Sequence, residues 1–197
     1  MDAACVRIRP LVDGETAPVL AVFAGLRARS RELRFLAPKL RLTPTDLRHL
    51  TQVDGHDRVA LVAELADGRP VGIARFVRYP GDDTVADVAV EVVDRWQRRG
   101  IGAQLVQALA EHARSVCVHR FTAHVLRENE GSLRLMRRTG GDVRPVESDD
   151  YSAEFEITLS DQTLHPGTNA PDASRQPAGP RARGAMADPV EERGWVA

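Results

Sequence analysis

The run TVADVAVEVV (84–93) holds five valines, whereas from Ile101 onward Leu105, Val106, Leu109 and Ala113 recur at steps of three and four. The first spacing and composition read as a buried strand, the second as a helix with one apolar face. Between them lies DRWQRRGIG (94–102), with three arginines and two glycines. A flexible, cationic backbone at the point where a strand turns into a helix makes a phosphate the candidate ligand.

The flanking segments extend the pattern. VRIRP (6–10) reads as a first strand ended by Pro10. Between Glu15 and Phe35, Val19, Leu20, Phe23 and Leu26 repeat at helical spacing and predict one buried helical face. LTPTDLRHL predicts a short helix capped by Thr43 with Pro44 in its first turn. VALVAEL (59–65), PVGIARFVRY (70–79) and 84–93 are separated by DGR and PGDD, which predicts a three-stranded antiparallel meander. After the 101–113 helix, HRFTAHVL (119–126) predicts a strand, EGSLRLMRR (130–138) a helix before Gly140-Gly141, and YSAEFEITL (151–159) a last strand. A strand, helix, strand unit following a meander predicts an α+β chain with a parallel pair beside an antiparallel sheet.

The 197 residues suit one core. Ser160–Ala197 contains 16 Pro, Gly or Ala, so residues 1–159 are expected to fold and 160–197 to form a disordered tail. A net charge of −1 provides no field for nucleic acid, and no apolar run is long enough for a membrane span. No secretory leader is evident, so a cytoplasmic protein is expected. Cys5 and Cys117 are expected to be two buried thiols, and the six histidines show no metal-ligand spacing. His112 and His124 are expected to be structural.

At Gln97–Gly102 the first amides of a helix have no internal acceptor and face whatever sits before the helix. Glycine lets an anion approach the backbone, and the helix dipole and arginines favour negative charge, so a diphosphate fits. A Walker loop is excluded because Ala103-Gln104 follows Gly102, and a dinucleotide fingerprint because Leu105 stands at the third glycine position.

Gln97-Arg98-Arg99-Gly100-Ile101-Gly102-Ala103 resembles the acyl-CoA pyrophosphate loop of the GCN5-related N-acetyltransferases (GNAT). Asn129-Glu130-Gly131-Ser132-Leu133-Arg134-Leu135 is similar to that family's Asn-x-x-Ala-x-x-Leu segment, whose asparagine lies near the pantetheine arm. The resemblance covers about residues 6–159 and implies the GNAT fold: a mixed central sheet with an antiparallel meander and a splayed parallel pair, flanked by helices. LRFLAPKLRLTPTDLRHLTQVDGHDRVALVA and ADVAVEVVDRWQRRGIG are most similar to bacterial protein-lysine acetyltransferases of the Pat type.

What this resemblance implies is an acetyl-CoA co-substrate, no metal, and an amine acceptor. The leading acceptor is a protein lysine, as on an acyl-CoA synthetase. A small amine, or a non-catalytic acyl-CoA-binding module, remains an alternative. The chain is expected to act as a monomer or homodimer, without a separate cyclic-nucleotide- or amino-acid-sensing domain. Backbone amides of Val90 and Val92 would hold the acyl carbonyl and pantetheine, and Gln97–Ala103, Asn129 and Ser132 the rest of the coenzyme. Asp87 and Glu91, four apart on a strand, share one face. Asp87 stands where Pat-like enzymes carry a catalytic glutamate and is expected to be the primary base; Glu91 stands where they carry an apolar residue and is expected either to replace it as the base or to bind a cationic substrate. Met136 stands where many relatives have a tyrosine acid, and Gly141 where the family usually has Phe.

Overall fold

A computed structural model describes residues 6–137 and 142–159. The elements run β1 (Arg7–Pro10), α1 (Thr16–Ala24), α2 (Ala28–Phe35), α3 (Pro44–Thr51), β2 (Arg58–Glu64), β3 (Pro70–Tyr79), β4 (Asp82–Val92), α4 (Ile101–Ser115), β5 (Arg120–Leu126), α5 (Glu130–Met136), β6 (Val143–Ser148) and β7 (Ser152–Thr158). All seven strands form one sheet in the order β1-β2-β3-β4-β5-β7-β6. Every neighbouring pair is antiparallel except β4 and β5, which run parallel over Val85–Asp87 and Arg120–Thr122. The expected α+β architecture, the meander and the parallel pair are all present.

Each face of the sheet buries its own apolar layer. Under α4 lie Leu61, Phe76, Val88, Phe121 and Ile157, which meet Ile101, Leu105, Val106 and Leu109. Under α1 and α3 lie Ala60, Val62 and Ile73, which meet Val19, Val22 and Leu50. Alternation along the strands sends successive side chains to these two layers.

Thr43 caps α3 as expected. Its hydroxyl accepts from Asp46 N–H at 3.1 Å while the Asp46 carboxylate accepts from Thr43 N–H at 2.7 Å, and Lys39 pairs with the same carboxylate. Burial opposes these bonds, but together they hold Asp46 below the usual carboxylate range.

Three expectations need correction. The single helical face from Glu15 to Phe35 is two helices, and Leu20 is exposed. The break is tertiary: Asp94, far along the chain, accepts from Arg27 N–H and Ser30 Oγ, each at 2.7 Å, and so starts a new helix there. Gly25 also packs where a Cβ would sit 2.7 Å from both Val93 methyls. Next, β6 was not expected, because DVRPVESD has no clean alternation; it lies at the sheet edge, where Pro145 costs no ladder bond to a further strand. Finally, Cys117 is exposed, at φ 64° in the turn that closes α4. Helix α5 ends at Met136, two residues earlier than expected, and Cys5, Gly141 and the tail lie outside the described residues.

Candidate active site

The parallel pairing ends at Asp87 and Thr122. Beyond these residues β4 keeps its partner β3 but has none on its other side, and a cleft of about 560 Å³ opens there. Val93 N–H donates to Val71 C=O on β3 at 2.9 Å. Because amides alternate sides along a strand, those of Val90 and Val92 then turn to the open lip, while the Val88 N–H donates to the Asp87 carboxylate. Gln97 Nε2 donates to Val92 C=O at 3.0 Å and ties the following connector to that lip.

Helix α4 begins at the mouth of the cleft. Gly100, its N-cap residue, has φ 81°, and Arg98 has φ 59°; both lie in the left-handed region, which a β-carbon disfavours. The first helical bond runs from Gln104 N–H to Gly100 C=O at 3.1 Å, so the amides of Ile101, Gly102 and Ala103 have no acceptor within the helix. Nothing approaches the place of a Gly100 Cβ, whereas one on Gly102 would lie 3.2 Å from Leu135. Gly102 therefore serves the packing of α4 on α5 as well as access to the backbone.

The expected coenzyme residues largely converge. Val90, Val92, Gln97, Arg98, Gly100, Gly102, Ala103, Asn129 and Ser132 line the cleft. Asn129 caps α5, its Oδ1 accepting from Ser132 N–H at 3.1 Å. Two side chains point elsewhere. Ile101 is buried in the apolar layer, and the Arg99 guanidinium lies 4.7 Å from the centre of the Trp96 ring. Arg134 lines the cleft and pairs with Glu130 at 3.0 Å. Met136, at the expected tyrosine position, also lines it and is buried.

On the opposite sheet face, Asp87, Ala89 and Glu91 project side by side, paired with Val77, Arg75 and Ile73 of β3. Glu91 Oε2 meets Arg34 Nε of α2 at 2.5 Å, with side chains 8% and 5% exposed. The geometry is that of a close ion pair without a linear hydrogen bond. Both residues line the cleft. Asp87 lies just below the wall, 7% exposed, where Thr122 Oγ1 donates to its Oδ1 at 3.4 Å. Burial is the dominant influence on its carboxyl and, reinforced by the charge of Glu154, overrides Arg34 and Thr122 to push its pKa up to about 7. Arg75 is buried beside this group and its Nη2 donates to His49 C=O at 2.9 Å; burial and the nearby Arg34 push its pKa down to about 10, so it stays charged at neutral pH.

Arg34 and His124 are cleft residues that sequence reasoning did not place there. Arg34 had no signal within its own arginine-rich helix. His124 was expected to be structural, but it lines the cleft and faces Glu154 of β7, Nε2 to Oε2 at 3.5 Å. Its shared face with Thr122 follows from strand alternation and was the available signal. His112, by contrast, is held against Gly55 C=O at 2.9 Å, outside the cleft. Among the described residues no His, Cys, Asp and Glu side chains gather as a metal site, and no helix is long and apolar enough to cross a membrane.

An open strand lip, a helix N-terminus at its mouth and a buried carboxyl behind it come together around this one cleft. Residues 27–141 match the family model described as Acetyltransferase (GNAT) family, and the chain belongs to that family. The family is one of acetyltransferases, and the relatives below carry that description. It is 32% identical over 171 residues to Acetyltransferase Pat of Mycolicibacterium smegmatis, covering 79% of this chain and 51% of that protein. The chain thus spans about half the length of this relative. It is 30% identical over 117 residues to the L-methionine sulfoximine/L-methionine sulfone acetyltransferase of Pseudomonas aeruginosa, covering 56% of this chain and 68% of that protein. The GNAT domain of S. lividans Pat superimposes with a TM-score of 0.71 at 27% identity, covering 78% of this chain and 90% of that one.

Proposed function

We propose that residues 1–159 form a domain that transfers the acetyl group of acetyl-CoA to the side-chain amine of a protein lysine, with Asp87 as the base. The observation that carries this reading is the position of Asp87. It ends the parallel pairing, on the sheet face opposite α4, with a pKa near that of the working solution. A lysine amine has an unperturbed pKa of ~10.4, so generating the neutral nucleophile at pH 7 costs on the order of 4–5 kcal/mol without a base. A carboxyl with pKa about 7 is half ionised there and takes that proton as the amine approaches.

The remaining roles follow from placement. Amides of Val90 and Val92 at the open lip would bind the thioester carbonyl and the pantetheine arm, and stabilise the oxyanion that forms on attack. Free amides at Ile101–Ala103, with Gln97, Arg98 and Gly100, would receive the diphosphate, while Asn129 and Ser132 flank the arm. Arg99 contributes charge to the connector rather than a side-chain contact. Glu91, bound to Arg34, is assigned a structural role, which leaves Asp87 as the base. The thiolate leaves without a side-chain acid at Met136; a thiol pKa of ~8.5 makes it a tolerable leaving group.

The likeness to Pat supports a protein lysine, for which an acyl-CoA synthetase is the leading candidate. The similarity to an acetyltransferase of methionine analogues supports a small amine as the second reading. Thiol release from acetyl-CoA, measured with acyl-CoA synthetases and with a panel of free amines and followed by mass spectrometry of the acceptor, tests both. Acetyl-CoA binding without release on any acceptor would instead identify a non-catalytic binding module.

A further inference from the structure

An ammonium acceptor loses two protons when it becomes an amide. One ends on the coenzyme thiol. The other must leave the site in every turnover, and on the reading of Asp87 as base it first resides on that carboxyl. Asp87 is 7% exposed, so once the acceptor covers it the proton's way to bulk water runs through neighbouring groups.

Across the last parallel pair its neighbour is Thr122, whose Oγ1 donates to Asp87 Oδ1 at 3.4 Å. The next residue on that face of β5 is His124, ~7 Å further along the strand, a gap that the threonine hydroxyl and a single water can bridge. The His124 side chain is 27% exposed, lines the cleft, and is braced by Glu154 at 3.5 Å, whose side chain is 14% exposed. The charged groups that share this part of the site are Glu154 and Glu156 from β7, Arg120 from β5, Asp87 and Glu91 from β4, Arg75 from β3 and Arg34 from α2, with Arg120 paired to Glu156. Arg34 and Glu91 are locked to one another, and Met136 carries no exchangeable proton. Glu156, paired with Thr122, is held by Arg120 at the end of the strand away from the cleft residues, whereas His124 follows Thr122 towards the cleft, lines it and reaches solvent.

We propose that His124, oriented by Glu154, carries the acceptor's proton from Asp87 to solvent. The O–H bond on Asp87 breaks and an N–H bond forms on the imidazole as the proton passes through Thr122 and its bridging water. The imidazolium then releases the proton to water, and Asp87 returns to the carboxylate. No oxidation change or further reactant is involved.

Chemical rescue separates this role from a structural one. With an acceptor that wild type acetylates, His124→Ala should lower kcat about 10²-fold near pH 7 while leaving KM for acetyl-CoA unchanged. Millimolar imidazole should restore much of the loss in proportion to its concentration, and oxazole, which does not titrate in this range, should restore none. His124→Gln, which keeps the side-chain volume, should show the same kcat defect, and Glu154→Gln a smaller one. Wild-type kcat in both His124 variants, or a defect that imidazole leaves untouched while acetyl-CoA still binds, overturns the proposal and spares the assignment of Asp87. Absence of thiol release by wild type with every acceptor removes both together.

Discussion

Replacing Asp87 with asparagine exchanges a titrating carboxyl for an amide of nearly equal shape at a site 7% exposed. Burial lifts this carboxyl from 3.8 to about 7. The folded chain thus keeps a proton that the unfolded chain releases near pH 4, and stability falls as pH rises from about 4 to 7. At ~1.4 kcal/mol per pH unit the loss reaches about 4 kcal/mol above pH 7, an upper bound because buried sites relax. Asp87→Asn should match wild type at pH 4 and exceed it at pH 8, with a gain in Tm of ~2–4 °C per kcal/mol. The same ionisation sets the acid limb of kcat/KM: wild type should lose activity below about pH 7, whereas the variant should run ~10²–10⁴-fold slower without that limb. Thermal melts and thiol-release rates over pH 4–9 measure both. A Tm difference that does not change with pH, or a variant with the wild-type rate and acid limb, would refute the reasoning.

Arg34→Met strands the Glu91 carboxylate in a buried site and should cost about 3–5 kcal/mol in urea unfolding, most of it recovered by adding Glu91→Leu. Arg34→Met should also move the acid limb to higher pH, because Arg34 is the nearby cation that holds the Asp87 pKa down. Thr43→Ala removes the acceptor for Asp46 N–H at the start of α3 and should cost about 1 kcal/mol in the same assay. Gly25→Ala brings a methyl to 2.7 Å from Val93 and should cost about 1–3 kcal/mol, with a smaller loss when Val93 is already alanine.

Local pattern determined a large part of this protein. The meander, the α4 face, the Thr43 cap and the glycine turn depend on residues within a few positions of one another. Periodicity and capping chemistry therefore read them correctly from the chain. The shared face of Asp87 and Glu91 follows equally from strand alternation. The resemblance to a known loop and to the segment at Asn129 placed Gln97, Arg98, Gly100, Gly102, Ala103, Asn129 and Ser132 at the cleft, whereas α2 and β5 contribute lining residues that it did not reach.

Tertiary structure decided the rest. Two carboxylates four residues apart look equivalent in sequence, yet Glu91 meets Arg34 of α2 and Asp87 does not. Asp87 is instead enclosed beside Thr122, and that enclosure raises its pKa. The helical stripe of 15–35 breaks because Asp94 caps it from 67 residues away, and His124 enters the cleft because β5 and β7 bring it to Glu154. The physical reason is common to these cases. A repeat of apolar residues is a property of neighbours along the chain, but the proton affinity of a side chain is set by the solvent it loses and the charges it gains, and those come from segments that only folding brings together.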